Sequence, residues 1–356
     1  MNVAIGYRWF PTALGYHFER AFVAQGHHIH YVGLPCQSRS GFDSSVSIEQ
    51  IVAALNPKPD LFLWVDPAGK YFPVGIELLS IPAACYLVDV HLGHWRTEAA
   101  KFFDAVFIAQ KSFVAHFQDA VGHKQVYWLP LAAATDVHRD WQTERIYDVG
   151  FVGNLLREHR QSGRLRRLEM LKQHFQINDF TRQYTPDEVG KLYSQSKIVF
   201  NTSIAGDVTM RIFEGTASGA LMITDKVENG LDDLFIEGKE IVTYQNDEEL
   251  LAKIQYYLEH PDKRQQVAQA GQKRTIAQHT YEQRVKTMLE HLTSSSLQLI
   301  APMRQVGIAE RSQVRRNIYT HLHMLDALLD DCRDAGENPL KRLWSIAPCL
   351  VRRIIL

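Results

Sequence analysis

Residues 207–225 read DVTMRIFEGTASGALMITD. The first part mixes apolar residues with Arg211 and Glu214 at helical spacing, and a glycine then leads into the β-branched run ALMITD. The run KIVFNTS stands just before, separated only by the short loop at 204–206. Strand, glycine-containing loop, helix and strand in that order make the β-α-β unit of a parallel sheet. Arg211 and Glu214 share one helix face close to the helix start, and two readings are open. They form a surface ion pair, worth less than ~1 kcal/mol, or they receive a ligand. A helix start leaves backbone N–H groups unpaired and carries the positive end of the dipole, so it favours an anion such as a pyrophosphate. The planar arginine fork suits phosphate oxygens, and a glutamate accepts hydrogen bonds from sugar hydroxyls. The apolar flanks Ile212, Phe213 and Ala217 set the pair partly inside the fold, which tilts the balance toward a ligand.

The same alternation extends over most of the chain. NVAIGY, HIHYVGL, DLFLWVD, AACYLVD, DAVFIAQ and QVYWLPLA read as buried strands, with amphipathic helices such as YHFERAFVAQG, SIEQIVAAL and SFVAHFQDAVG among them. Residues 133–146, AATDVHRDWQTERI, are polar and aperiodic and read as a linker. The pattern then restarts with YDVGFVGN, RLRRLEMLKQHF, TPDEVGKLYSQS, KIVFNTS, ALMITD and EIVTYQ. Thr185 as N-cap with Pro186 at the first helical position marks a helix start. From residue 247 onward the pattern is helical. Continuous apolar strands joined by helices imply parallel sheets covered on both faces. The expected fold class is α/β: two Rossmann-like parallel-sheet domains facing a cleft, at 1–138 and 139–290, with a helical C-terminal extension at 291–356. Ligands in such sheets sit at the C-terminal ends of the strands.

Composition narrows the function classes. With 46% hydrophobic and 22% charged residues in 356, the chain is neither disordered nor fibrous. A formal net charge of −1 gives no electrostatic case for nucleic acid. Cys36, Cys85, Cys332 and Cys349 are far apart in sequence and read as reduced thiols. The start MNVAIGYRWFPT has no basic or hydrophobic leader region, and no apolar run is long enough for a bilayer. The expectation is a soluble cytoplasmic protein, at most peripheral to the inner face of the membrane. LKRLWSIAPCLVRRIIL, at the C-terminus, alternates cations with apolar residues. It reads as an amphipathic helix docking on the first domain or, more sharply, as an interfacial contact with membrane-bound acceptors.

The run DVTMRIFEGTASGALMITD, continued by LFIEGKEIVTYQNDEELLAKIQYYLEHPDKRQQVAQAGQKRTIAQHTYEQRV, resembles the C-terminal half of the CgeB-like (spore-maturation type) glycosyltransferases, of the GT-B, glycosyl transferases group 1 class. AQKSFVAHFQDAVGHKQVYWLPLAAATDVH and DVGFVGN carry a similar likeness, which spans roughly residues 85–290 well and the first eighty loosely. The resemblance implies a nucleotide-sugar donor, such as a UDP-sugar, bound mainly by the second domain. No other cofactor and no metal are implied. Glu214 matches the glutamate that holds the donor ribose, and Arg211 lies where an arginine approaches the diphosphate, with Thr209 beside them. Gly153 and Asn154 match a glycine turn close to the phosphates. Among Arg157, Arg160 and Arg164 one phosphate cation is expected, with Arg160 preferred and the other two on a solvated helix face. Related enzymes carry a second glutamate eight residues earlier; here that position is Gly206, and Asp207 beside it is a helix-cap candidate.

In the first domain, CYLVDVHLGHW places Asp89, His91 and His94 just after a strand. The resemblance assigns His91 to the donor sugar, and Asp89 is the candidate acceptor-side carboxylate, the base if the reaction inverts. Asp89 capping the helix of LGHWRTEAAKFF is the plain alternative, and this spacing is not that of a helical metal-ligand pair. Gly6, Tyr7, Arg8 and Trp9 follow the first strand and suit either stacking on an acceptor or plugging the core. The implied activity is hexosyl transfer from a nucleoside diphosphate sugar to an acceptor hydroxyl, retaining and metal-independent. The acceptor is a glycan, a lipid-linked glycan, a protein or a small molecule. A nucleotide-sugar epimerase and a non-catalytic carbohydrate- or partner-binding protein are the alternatives.

Overall fold

The structure, a computed structural model, describes residues 1–43, 45–67, 69–153, 155, 163–293 and 298–334. It divides into two compact units, Met1–Leu129 with the chain from Val285 onward, and Pro130–Arg284.

In the first unit six strands form one sheet: β1 (Asn2–Gly6), β2 (His28–Tyr31), β3 (Leu61–Val65), β4 (Ala83–Leu87), β5 (Ala105–Ile108) and β6 (Val126–Trp128). Their order is β2-β1-β3-β4-β5-β6, and every pair is parallel. The helices are α1 (Leu14–Ala24), α2 (Ile48–Ala54), α3 (Trp95–Ala100) and α4 (Val114–Val121). All residues of β3 and β4 are buried, as expected for strands covered on both faces. Because β1 lies between β2 and β3, the winding reverses there. The loops after β1 and β3 therefore flank the crevice of this sheet.

The second unit holds β7 (Tyr147–Gly150), β8 (Ser196–Phe200), β9 (Leu221–Asp225) and β10 (Val242–Tyr244), parallel and in the order β10-β9-β8-β7. Its helices are α5 (Arg164–His174), α6 (Pro186–Ser194), α7 (Met210–Ala217), α8 (Leu231–Leu234), α9 (Asp247–Glu259) and α10 (Pro261–Gln278). Ile177 forms a parallel bridge to Val149 on the other edge of β7. The winding thus reverses between β7 and β8, which puts the crevice of this sheet between the loops after those two strands. The start of α6 is the one expected: Thr185 and Glu188 form a reciprocal capping box, with Pro186 in the first turn. Gly190, in the middle of α6, is required by packing, since a Cβ there would lie 2.1 Å from the Val137 carbonyl oxygen.

The remaining helices are α11 (Tyr281–Leu292), α12 (Ile308–Leu322) and α13 (Leu325–Asp334). In α11 the chain leaves the second unit for the first. Arg284 secures the exit by donating from Nε to Pro130 O at 2.7 Å and from Nη2 to Leu131 O at 2.9 Å. The returning chain packs on the first unit through Asp104, a fully buried carboxylate. Asp104 accepts from Ala83 N at 2.9 Å, Ala301 N at 3.0 Å, and Arg304 Nε and Nη2 at 2.9 and 2.7 Å. Arg315 on α12 pairs with both Glu77 and Asp331. Ile318 and Tyr319 on α12 enter the same core as Trp64, Phe72 and Phe103. Among the described residues no helix is long and apolar enough to cross a membrane.

Two outcomes follow. Replacing Arg304 by methionine keeps the aliphatic stem but leaves Asp104 as a buried, half-satisfied charge. We expect a loss of about 3–5 kcal/mol in the first unit, read by urea unfolding. In the second unit His279 is 4% exposed, and burial with the neighbouring Arg284 pushes its pKa down to about 4. The native imidazole refuses a proton that the unfolded chain accepts below about pH 6.5. This contribution is complete above pH 6.5 and is lost as pH falls toward 4, by about 3 kcal/mol in total. His279→Gln should flatten the fall in urea midpoint between pH 7 and pH 4.5.

Candidate functional site

The crevice of the second sheet is built around Asn201, the first residue after β8 and fully buried. Its Nδ2 donates to Thr224 Oγ1 at 2.8 Å, and its carbonyl accepts from Tyr244 Oη at 3.1 Å. Its Oδ1 accepts from Thr209 Oγ1 at 2.9 Å and from Arg211 Nη1 at 2.6 Å. Arg211 sits on the first turn of α7 and is 8% exposed. Its Nε donates to Val152 O at 2.9 Å, and its guanidinium lies 4.2 Å from the Phe151 ring centre. One guanidinium therefore ties together the loops on either side of the switch point. Gly153 is needed beside it, because a Cβ there would lie 2.4 Å from Arg211 Nη2.

Arg211 and Glu214 do not pair with each other. The surface ion pair considered from spacing is replaced by two separate environments. Glu214, one turn further along α7, keeps 15% side-chain exposure and faces His138 Nε2 at 3.6 Å. Thr209 is the N-cap residue, yet its hydroxyl goes to Asn201 rather than to the helix. Asp207 lies before the cap and does not serve as one.

Two further arginines converge on the loop after β8. Arg164, at the start of α5, is buried and donates to Thr202 O at 2.9 Å, in place of the solvated face expected of it. Arg167 donates to Thr202 Oγ1 at 3.2 Å and pairs with Asp247 at 2.8 Å. Ser203 N is held by Asp225 Oδ1 at 2.8 Å. These bonds leave a rigid, cation-rich edge where three helices, α5, α7 and α9, begin. Such an edge can take a diphosphate while Glu214 accepts from hydroxyls. Asn154, Arg157 and Arg160 lie outside the described residues. His138 also lines a cavity of about 480 Å³ with Asp140, Gln272 and Glu282.

In the first unit, Asp89 has a φ of 51°, left-handed for a non-glycine residue, in the loop that follows β4. Its side chain does not cap a helix: it precedes the short turn 90–92, and the N-cap position of α3 belongs to His94. Such strain persists where the surroundings impose it, and it clusters at ligand sites. His91 is half-buried and His94 exposed. The residues at the end of β1 and just after it divide. Gly6 and Tyr7 are buried, and the Tyr7 hydroxyl donates to Glu19 at 2.7 Å while accepting from Arg39 at 2.7 Å. Trp9 is half-buried against Tyr16, and Arg8 is exposed. The crevice of this sheet also holds a buried ion pair absent from the sequence expectations, Asp66 at the end of β3 with Arg96 on α3.

Comparisons with known proteins agree with this architecture. Residues 149–290 match the family described as Glycosyl transferase-like. No curated protein sequence matches the chain. Solved structures do. Anabaena HepE, in complex with UDP and glucose, superposes with a TM-score of 0.59 at 14% identity, covering 82% of this chain and 99% of its own. Sucrose-phosphate synthase from Thermosynechococcus elongatus gives 0.57 at 12% identity, with 82% and 98% coverage. The T4 phage BGT, with its UDP-glucose substrate, gives 0.56 at 11% identity, with 82% and 100% coverage. The fold is GT-B, two Rossmann-like parallel-sheet units. Asn201, Arg167 and His138 were missed in sequence because each acts through a partner far along the chain. The only local signal was Asn201 ending an apolar strand.

Asn201→Ala would strip an acceptor from a buried guanidinium. Unfolding in urea should show a loss of about 2–4 kcal/mol, with Asn201→Asp, which keeps Oδ1, losing less.

Proposed function

We propose that this chain is a glycosyltransferase that moves a hexosyl group from a nucleoside diphosphate sugar, such as a UDP-sugar, to an acceptor hydroxyl. The observation that carries it is the edge of the second sheet, where Glu214 stands partly exposed one turn from a guanidinium that unites two loops. That edge lies inside the stretch matching the transferase model. The bond between the sugar C1 and the phosphate oxygen breaks, and charge grows on the departing diphosphate. Backbone N–H groups at helix starts and the convergent arginines stabilise that charge without a metal ion. A new bond forms from C1 to the acceptor oxygen. In a retaining reaction the acceptor proton passes to the leaving phosphate on the same face of the sugar. If the reaction inverts, Asp89 is the base. His91 is assigned to the donor sugar, on the resemblance to group 1 transferases of the CgeB-like kind. HepE and BGT were solved with UDP and UDP-glucose respectively, which supports uracil as the base.

The test is a thermal-shift screen of UDP, GDP, ADP and TDP, followed by incubation with the matching nucleotide sugars. One nucleotide should raise the melting temperature, and its sugar conjugate should release free nucleoside diphosphate. An altered sugar still on its nucleotide would indicate epimerisation, and binding without turnover a binding protein. Glu214→Ala should weaken nucleotide binding about 10- to 100-fold, the loss of one or two charge-assisted hydrogen bonds. Wild-type affinity in that variant would remove Glu214 from the site.

A further inference from the structure

His138 is held in place by its backbone before its ring is considered. Its N–H donates to Ala134 O at 2.7 Å, and Val137 O accepts from Trp141 Nε1 at 3.1 Å. Val137 O also rests against Gly190 of α6, where no Cβ fits. The imidazole so anchored is 5% exposed. One nitrogen, Nε2, faces Glu214 Oε1 at 3.6 Å. The other, Nδ1, is buried and has no hydrogen-bond partner among the described residues.

That asymmetry selects the tautomer. A buried N–H with no acceptor costs more than an unmet lone pair. The proton of the neutral ring therefore belongs on Nε2, directed at Glu214. Burial also holds the imidazole below its usual pKa, with Glu214 acting the other way, so the ring is neutral near pH 7. At 3.6 Å the contact is longer than a hydrogen bond. A small side-chain rotation of the partly exposed glutamate closes it, as ligand-free sites commonly tighten when occupied.

We propose that His138 is a positioning residue: its Nε2–H holds one carboxylate oxygen of Glu214 so that the other faces the hydroxyls of the donor ribose. This rests on the assignment of Glu214 to the ribose. Supporting hydrogen bonds of this kind fix the orientation of a binding group and prevent it from turning to solvent.

The experiment uses the full chain and whichever of UDP, GDP and ADP gives the largest thermal shift. Its affinity is measured by calorimetry against that of its 2′,3′-dideoxy counterpart, and the ratio reads the grip on the ribose alone. Glu214→Gln should lower this ratio. His138→Phe, similar in size but without the donor, should lower it about 3- to 10-fold, the worth of one modest hydrogen bond. His138→Gln, whose amide reaches the Nε2 position, should restore it. In the Glu214→Gln background His138→Phe should change the ratio less than about twofold, since coupled residues are not additive. If His138→Phe does not fold, His138→Met against His138→Gln gives the same comparison. A ratio that falls in Glu214→Gln but stays at wild type in His138→Phe or His138→Met overturns the inference and leaves Glu214 in its role. A ratio unchanged in Glu214→Gln removes Glu214 from the ribose, and the inference with it; so does the binding of none of the three nucleotides.

Discussion

A guanidinium that is 8% exposed cannot be left without acceptors, and the second unit is arranged around that requirement at Arg211. The acceptors come from the two loops that flank the reversal of the sheet, Val152 after β7 and Asn201 after β8. Asn201 is in turn secured to β9 through Thr224 and to β10 through Tyr244. The ends of all four strands are thus tied to one cation. The loops on either side of the sheet reversal are cross-linked by buried and partly buried hydrogen bonds.

This division of labour changes the sense of the two charges in α7. Spacing presented Arg211 and Glu214 as equals on one face. In the fold, Nε and Nη1 of the buried Arg211 donate to Val152 O and Asn201 Oδ1, so this cation orders the two loops and places a positive field at their edge. Glu214 keeps 15% side-chain exposure and has a histidine, not the arginine, at its side. The additional cations at this edge, Arg164 and Arg167, are themselves anchored to Thr202. A preorganised cationic edge of this kind stabilises developing charge with little reorganisation.

The first unit meets a similar constraint with carboxylates. Asp104 gathers two backbone N–H groups and the fork of Arg304, which binds the returning chain to the start of β4 and β5. The helices after Val285 therefore complete the core of the unit in which the chain began. Asp66 with Arg96 repeats the device at the end of β3, in the crevice of the same sheet.

Most of the fold was legible in the sequence because it depends on local pattern. Continuous apolar runs such as LFLWV and AACYL are buried strands, and Thr185-Pro186 with Glu188 starts a helix through contacts three residues apart. The position of Glu214 after a β-loop-α junction was legible for the same reason. The partners of these residues were not. Arg211 meets Val152 across 59 positions, and His138 meets Glu214 from a segment that packs against α6 at Gly190. Asp89 invited a local role as a helix cap and has a left-handed backbone instead. The sequence by itself determined which segments are strands and helices and which chemical groups stand at their ends. Only the tertiary structure decided which of those groups are consumed in holding the loops and which remain to meet a ligand, because a buried charge takes whichever acceptor folding brings within about 3 Å of it.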